Sequence, residues 1–258
     1  MGRLGRRRSL ANDEIGEAQD QKANTSLADS DTPTEAPIAY WSDWRIDLME
    51  RLWGTGFLLP GGTEFVSELT RPLNLGSKTS VLVLGAGMGG PSNSIAKEFG
   101  AFIDGIEPDP ELAVAGVKRA AIVKGMSRVT IKNLSIDDDS AFARKYDAIF
   151  GQEILLQRAN VSQLLDRCAN ALKENGKLVI TDFTSADETA GSSIEAWLKR
   201  EKAAGSIREE GELRALFTEA GFRMRTVEDL TDRYIGLVHN GWVALERSLR
   251  ANAANRDI

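Results

Sequence analysis

Short apolar runs alternate with helical patterns from residue 80 onwards. Ser80–Leu84 leads into a glycine cluster, as a buried parallel strand does when it turns into a helix. Further strands are predicted at Phe102–Ile106, Val129–Leu134, Ala148–Phe150 and Lys177–Thr181. Helices are predicted between them at Pro91–Phe99, Pro110–Lys124 and Val161–Leu172. This alternation predicts an α/β fold, a doubly wound and mostly parallel sheet with helices on both faces.

The flanking segments predict additions to this sheet. Before the first strand, two helices are predicted at Tyr40–Leu59 and Thr63–Leu69, with Thr63 as the N-cap of the second. After a long polar helical stretch, a last helix is expected at Glu210–Ala220. Arg223–Val227 and Gly241–Leu245 are predicted as two closing strands, the last of which is antiparallel to the others.

Composition separates residues 1–37 from the rest of the chain. The first ten residues hold four arginines, and residues 11–36 are polar and acidic with few large apolar side chains. Such a segment buries too little surface to offset the entropy lost on ordering. Residues 1–37 are therefore predicted to be a disordered tail, and 251–258 a flexible C-terminal end. The arginines are expected either to contact a membrane surface or a protein weakly, or to have no specific role.

Charge and cysteine content narrow the expected partners. The 258 residues carry a formal net charge of -6, whereas nucleic-acid binders usually present a basic face, so no nucleic-acid partner is expected. The single cysteine, Cys168, rules out an internal disulfide and a multi-cysteine metal site. No apolar run reaches the roughly 18 residues that a membrane span needs. We expect a cytoplasmic protein without a metal, and leave homo- or hetero-oligomers open.

The strongest candidate for a binding site follows the first predicted strand. Gly85 permits a sharp turn there, and Gly87 lets the backbone approach a ligand closely. The next helix offers free N–H groups and the positive end of its dipole. Glu107 lies about 20 residues further on, at the carboxyl end of the second strand, where a carboxylate accepts ribose hydroxyls. The pattern predicts an adenosine-containing cofactor, with a nicotinamide or flavin dinucleotide as the alternative.

Several motifs in order resemble class I S-adenosylmethionine-dependent methyltransferases. The matching segments are Val81–Gly89, Ile106–Asp109, Tyr146–Glu153, Ala171–Phe183 and Glu212–Phe222. The resemblance implies a Rossmann-like domain over residues 76–250 with S-adenosylmethionine as cofactor. It implies cofactor contacts from Gly85, Ala86, Gly87, Gly89, Glu107, Pro108, Ser135, Ile136 and Gln152.

Residues 53–62 carry a shorter resemblance, to phosphoethanolamine, sarcosine and related small-molecule methyltransferases. In those families this segment forms part of a lid over cofactor and substrate, so residues 38–75 are expected to be an N-terminal helical lid, here called the lid segment. Its aromatic side chains are expected either to cage a cationic amine or to pack in the core; they are Trp41, Trp44, Trp53 and Phe57.

Three departures from these families bear on catalysis. Phe57 and Gln157 stand where phosphoethanolamine methyltransferases have a Tyr and a His, and Val83 stands where the first motif usually has an acid. No catalytic residue is therefore assigned, although Glu153 is placed either to orient an acceptor or to cap a helix. Methyl transfer depends more on positioning than on a strong base, and a neutral amine attacks directly. The predicted function is methyl transfer to a small-molecule acceptor, an amine or lipid-like molecule. The alternative is a methyltransferase-like domain with lost or reduced catalysis that serves as a partner or regulatory subunit.

Overall fold

The computed structural model describes residues 40–122, 127–185, 192–201, 203 and 205–254. The predicted disordered tail and residues 255–258 lie outside them. The strands of the main sheet are β1 (Ser80–Leu84), β2 (Phe102–Glu107), β3 (Val129–Asn133), β4 (Tyr146–Gln152) and β5 (Leu172–Thr181). All neighbouring strands pair in parallel, in the order β3-β2-β1-β4-β5. No helix within the described ranges is both long and apolar enough to cross a membrane.

Helices connect and flank these strands. They are α1 (Asp43–Trp53), α2 (Gly62–Thr70), α3 (Gly90–Phe99), α4 (Pro110–Ile122), α5 (Val161–Ala171), α6 (Ser192–Arg200), α7 (Glu210–Glu219) and α8 (Thr231–Ala254). Two short strands, β6 (Thr184–Ser185) and β7 (Arg208–Glu209), form a separate parallel pair.

The central strand β1 sends alternate side chains into two cores. Leu82 and Leu84 pack with α5 on one face, and Val81 and Val83 pack with α2 and α3 on the other. Burial on both faces explains why the strand is continuously apolar. The doubly wound fold is thus confirmed. Strand order reverses where β2 and β4 flank β1, and ligands bind outside the carboxyl ends of the strands at such a point.

The prediction of two closing strands is wrong. Arg223–Val227 forms no strand, and Gly241–Leu245 lies inside α8, so the described residues contain no antiparallel last strand. A short apolar run fits a strand or a helix equally well, and its neighbours decide. Here the residues of one helix face recur every four positions. Leu237 lies near Gly61, Gly241 contacts Trp53 of α1, and Leu245 is buried.

Several element boundaries also differ from the sequence-based prediction. The first helix ends at Trp53, because Gly54 leaves helical geometry with a φ of 100°. Gly61, not Thr63, is the N-cap of α2, and the Thr63 hydroxyl lies 3.1 Å from the Ser94 hydroxyl of α3. The fifth strand starts at Leu172 rather than Lys177.

Two glycines of α8 offer a matched test of how this helix packs. A Cβ at Gly241 would overlap the Trp53 ring of α1, whereas a Cβ at Gly236 would meet nothing within 4 Å. We expect Gly241→Ala to lower the melting temperature, because overpacking costs about 1–3 kcal/mol. Gly236→Ala should raise it slightly, because alanine is the better helix former by about 1 kcal/mol. Thermal denaturation followed by circular dichroism measures both, and equal effects would contradict the packing of α8 on α1.

Candidate cofactor and acceptor site

The loop between β1 and α3 is compact because of its glycines. Gly85, Gly87 and Gly89 all have positive φ values, of 65°, 54° and 86°. A Cβ at Gly85 would lie 2.7 Å from the Ile154 side chain, and one at Gly87 would lie 2.9 Å from that of Leu58. Only glycine therefore lets the backbone adopt this turn under its two covering side chains. Helix α3 begins here without a side-chain cap, and the positive end of its dipole lies next to the loop.

Glu107 closes the other side of this loop. Its side chain is 6% exposed, and its two carboxylate oxygens accept the N–H groups of Gly87, at 2.7 Å, and Asp109, at 2.9 Å. Burial raises the pKa of Glu107, while these two hydrogen bonds oppose the rise. Each oxygen keeps a free lone pair for a ribose hydroxyl. Glu107 also holds the loop, a role that the buried, apolar Val83 cannot fill.

The remaining residues of the predicted cofactor site lie at the same sheet edge. Pro108 follows β2, Ser135 and Ile136 follow β3, and Gln152 ends β4. Ala86, in the loop itself, and Ile136 have fully buried side chains. Asn133 was missed by the sequence analysis: its amide donates to the carbonyl oxygens of Glu107 and Pro108, at 2.9 Å each. It therefore ties the end of β3 to the carboxylate-bearing turn.

These residues fit S-adenosylmethionine. The glycine loop lets the backbone approach a ligand closely, and the positive end of the α3 dipole suits a carboxylate group. The buried Glu107 suits a ribose diol. Two polar atoms near the start of α3, Ser92 Oγ and Asn93 Oδ1, are buried without a hydrogen-bond partner among the described residues.

The lid segment is docked on the glycine loop. Glu50 of α1 accepts the Gly56 N–H at 2.6 Å and two hydrogen bonds from the Arg119 guanidinium of α4, at 2.7 Å each. The Gly56 carbonyl oxygen in turn accepts the N–H of Gly90 at 2.9 Å. Burial alone would raise the pKa of Glu50, but the bonds from Arg119 and Gly56 lower it below its usual value. One ion pair therefore connects α1, α4 and the turn above the loop.

A second group of polar side chains follows β4. Glu153 has a φ of 54°, unusual for a residue other than glycine, and its Oε1 accepts the Tyr234 hydroxyl of α8 at 2.6 Å. Burial raises the pKa of Glu153 to about 7; the Tyr234 hydrogen bond opposes this rise, and the charges of Asp182 and Glu201 add to it. The next residue, Ile154, covers Gly85, so Glu153 borders the glycine loop.

Aromatic rings and further acids surround Glu153. Phe183 contacts Trp197 and Tyr234 edge to face, with centroid distances of 5.3 and 5.7 Å. Asp182 accepts the N–H groups of Leu155 and Leu156 at 2.6 and 3.2 Å, and burial raises its pKa. We call these side chains the acidic aromatic cluster; they are Glu153, Asp182, Phe183, Trp197, Glu201 and Tyr234.

The aromatic residues of the lid segment have other roles. Phe57 packs in the core, and Trp53 packs on the core and against Gly241, so the packing alternative holds for both. Trp44 is 64% exposed. Tyr40 reaches the acidic aromatic cluster, because its hydroxyl donates to Glu201 at 2.8 Å, and Arg45 pairs with the same carboxylate at 3.5 Å.

Most of this cluster was missed by the sequence analysis. Asp182 had a usable signal, because it directly follows the predicted strand Lys177–Thr181 at the sheet edge where Glu107 ends β2. Trp197, Glu201 and Tyr234 had none, since they come from helical regions far along the chain. Gln157 lies in the loop after β4, partly buried.

Comparison with known proteins agrees with this architecture. The family model described as a methyltransferase domain matches residues 58–227. The chain belongs to this methyltransferase family, which confirms the resemblance drawn from its motifs.

The chain is also similar to curated phosphoethanolamine N-methyltransferases. Phosphoethanolamine N-methyltransferase 3 of Arabidopsis thaliana is 24% identical over 200 residues, which cover 77% of this chain and 40% of the relative. The Plasmodium falciparum phosphoethanolamine N-methyltransferase is 23% identical over 195 residues, 74% of this chain and 71% of that protein. This chain thus spans about 40% of the length of the plant relative.

A solved structure supports the fold. Phosphoethanolamine N-methyltransferase 2 of Haemonchus contortus, in complex with S-adenosyl-L-methionine, superposes with a TM-score of 0.73 at 20% identity. The superposition covers 83% of this chain and 49% of that one. The cofactor expected from the sequence is the one bound in that neighbour.

The position of Glu107 generates a test of the cofactor site. We expect Glu107→Gln to weaken S-adenosylhomocysteine binding about 10-fold or more, because a charge-assisted hydrogen bond to ribose contributes about 1.5–3 kcal/mol. Isothermal titration calorimetry measures the affinity. Asp104→Asn, in the same strand but bonded to Arg144 and Tyr146, is the control and should bind normally. Equal affinities for the two variants would remove Glu107 from the site.

The Glu50–Arg119 ion pair generates a test of the lid segment. We expect Arg119→Gln to speed hydrogen exchange of the amides at residues 54–58 and to destabilise the fold by about 1–3 kcal/mol, because a bidentate, partly buried pair is lost. Arg51→Gln removes an exposed pair with Asp47 and should cost about 0.5 kcal/mol or less. Exchange mass spectrometry with and without S-adenosylhomocysteine checks both. Unchanged exchange in Arg119→Gln would mean that other contacts hold the segment.

Proposed function

We propose that this protein transfers a methyl group from S-adenosylmethionine to the nitrogen of a small amine. The acidic aromatic cluster beside the glycine loop carries this proposal. It supplies negative charge and aromatic faces at the point where an acceptor would meet the cofactor loop. An acceptor of opposite character, an anion without an amine, would be repelled by the same groups.

The electrostatics of the cluster favour a cation. Asp182 and Glu201 both act on Glu153, and together they make proton or cation binding favourable at this carboxylate. The rings of Phe183 and Trp197 offer electron-rich faces to an ammonium group. Methylation keeps the positive charge on nitrogen at neutral pH, so the cluster accommodates both the acceptor and its product.

The roles of the residues follow from this placement. The glycine loop and Glu107 would hold S-adenosylmethionine, which supplies an electrophilic methyl group on a sulfonium. An ammonium has no lone pair, so the nitrogen must lose a proton before it forms the bond to carbon. A nearby carboxylate accepts that proton, and the pair of electrons from the broken carbon–sulfur bond remains on sulfur. Exclusion of water by the lid segment would keep the two reacting groups in contact.

The relatives support an acceptor of the phosphoethanolamine type, since the curated matches are phosphoethanolamine N-methyltransferases. Phe57 and Gln157 at the positions of a Tyr and a His favour the second candidate, a cofactor-binding domain with reduced or lost catalysis.

An acceptor panel tests the two candidates. We expect labelled methyl transfer from S-adenosylmethionine to ethanolamine, phosphoethanolamine or their mono- and dimethylated forms, and none to ethylene glycol, which has a similar size but no amine. Liquid chromatography with mass spectrometry identifies the product. Binding of S-adenosylhomocysteine without transfer to any amine would favour the non-catalytic candidate. Transfer to the diol alone would contradict the role of the cluster.

A further inference from the structure

Glu153 and Tyr234 form a pair that joins distant parts of the chain. The Tyr234 hydroxyl donates to Glu153 Oε1 at 2.6 Å, which leaves Oε2 without a protein hydrogen bond among those that the structure describes. This pair lies at the carboxyl end of β4, beside the loop that Ile154 covers. It is built from residues other than Phe57 and Gln157, where the resemblance had placed the missing Tyr and His.

We propose that Tyr234 is a positioning residue for Glu153, and that Glu153 Oε2 accepts the proton of the acceptor ammonium. This inference rests on the proposed function. The proton passes from nitrogen to the carboxylate and then to solvent, and the nitrogen lone pair becomes free for the new bond to carbon. Glu153 is thus the catalytic residue, while Tyr234 acts through it.

The geometry fixes both partners of the pair. The positive φ of Glu153 is strained for a residue with a side chain, and such strain is characteristic of functional positions. Its N–H donates to the Thr181 carbonyl oxygen of β5 at 2.7 Å, which holds the strained backbone. Tyr234 lies in the first turn of α8, with its ring against Phe183. The phenol therefore has little freedom to leave the carboxylate.

The charges around the pair favour proton uptake. Asp182, after β5, and Glu201, after α6, both raise the pKa of Glu153, whereas Tyr234 lowers it. Glu201 also pairs with Arg45 at 3.5 Å and accepts the Tyr40 hydroxyl. Burial and these acids bring Glu153 to a pKa of about 7, within the range where a carboxylate exchanges protons with an amine.

Removing the Tyr234 hydroxyl should raise the pKa of Glu153. The hydrogen bond stabilises the ionised carboxylate, so Tyr234→Phe raises the pKa of Glu153, by roughly one unit for one charge-assisted bond. Because the ionised form accepts the proton, the acidic limb of the kcat/KM profile should move to higher pH by the same amount. A purely structural tyrosine would change stability or rate without moving this limb.

The pH dependence of protein stability tests the same pair without any substrate. In the folded protein Glu153 binds its proton more tightly than in the unfolded chain, so its contribution to stability falls as pH rises from about 4.5 through about 7. The melting temperature of Glu153→Gln minus that of the wild type should therefore rise across this window and level off above it. The melting temperature of the double variant Glu153→Gln/Tyr234→Phe minus that of Tyr234→Phe alone should level off roughly one pH unit higher.

Tyr146→Phe is the matched control. Tyr146 also donates to a carboxylate, Asp104 at 2.9 Å, but at the start of β4 rather than at its carboxyl end. We expect Tyr146→Phe to change neither the pH of the acidic limb of kcat/KM nor the pH range over which Glu153 affects the melting temperature. Binding of S-adenosylhomocysteine should be the same in all of these variants, which shows that the cofactor site is folded.

The outcomes separate the two proposals. If wild type methylates an amine but Tyr234→Phe shifts neither the acidic limb nor the stability window, the Tyr234–Glu153 assignment is overturned and the proposed function stands. If no amine is methylated, yet the stability window shifts in Tyr234→Phe and not in Tyr146→Phe, the pairing is real and the methyl-transfer proposal fails. A shift of equal size in the control overturns the specific role of Tyr234.

Discussion

The parallel pairing of β1 with β4 is the constraint on which the site depends. Their register, with Leu84 opposite Gly151, brings the ends of the two strands to one edge of the sheet. The chain leaves β1 through a glycine loop and leaves β4 through a strained glutamate. Ile154 then packs over Gly85, so the candidate cofactor side and acceptor side touch, and the edge strand β5 supports them by accepting the Glu153 N–H at Thr181. Displacing either strand by one residue would turn its inward side chains to the opposite face.

The three carboxylates near this edge differ in their hydrogen-bond partners and therefore in how well their negative charge is stabilised. Glu107 is buried and satisfied by two backbone N–H groups. Glu50 accepts two hydrogen bonds from a guanidinium, which lower its pKa, so its carboxylate is ionised at physiological pH. Glu153 has one neutral phenol as a partner and two acids nearby, so its charge is the least stabilised of the three. These differences suit Glu50 to a structural role and Glu107 to holding the loop and a ribose, and they support the proposed proton exchange at Glu153.

The sequence was informative where local pattern determines structure. The buried strands, the glycine loop and Glu107 could be predicted because apolar runs, glycines and an acid at a strand end each have a local physical cause. Helix α8 could not, because residues 241–245 satisfy the spacing of a strand as well as that of a helix until Trp53 is brought against Gly241. The Glu153–Tyr234 pair joins residues 81 positions apart, and no local pattern encodes such a contact. Glu153 itself was noticed, but its partner was not.

The close approach of α8 to α1 at Gly241 has a mechanical consequence. Helix α1 carries Glu50, which holds the turn over the glycine loop, and α8 carries Tyr234, which holds Glu153. The indole of Trp53 rests directly on the α8 backbone, with no side chain at Gly241 to act as a spacer. A swing of α1 away from the loop must therefore drag α8 with it or break this contact. Opening of the turn over the glycine loop and placement of Tyr234 against Glu153 would then be mechanically coupled through the contact between Trp53 and Gly241.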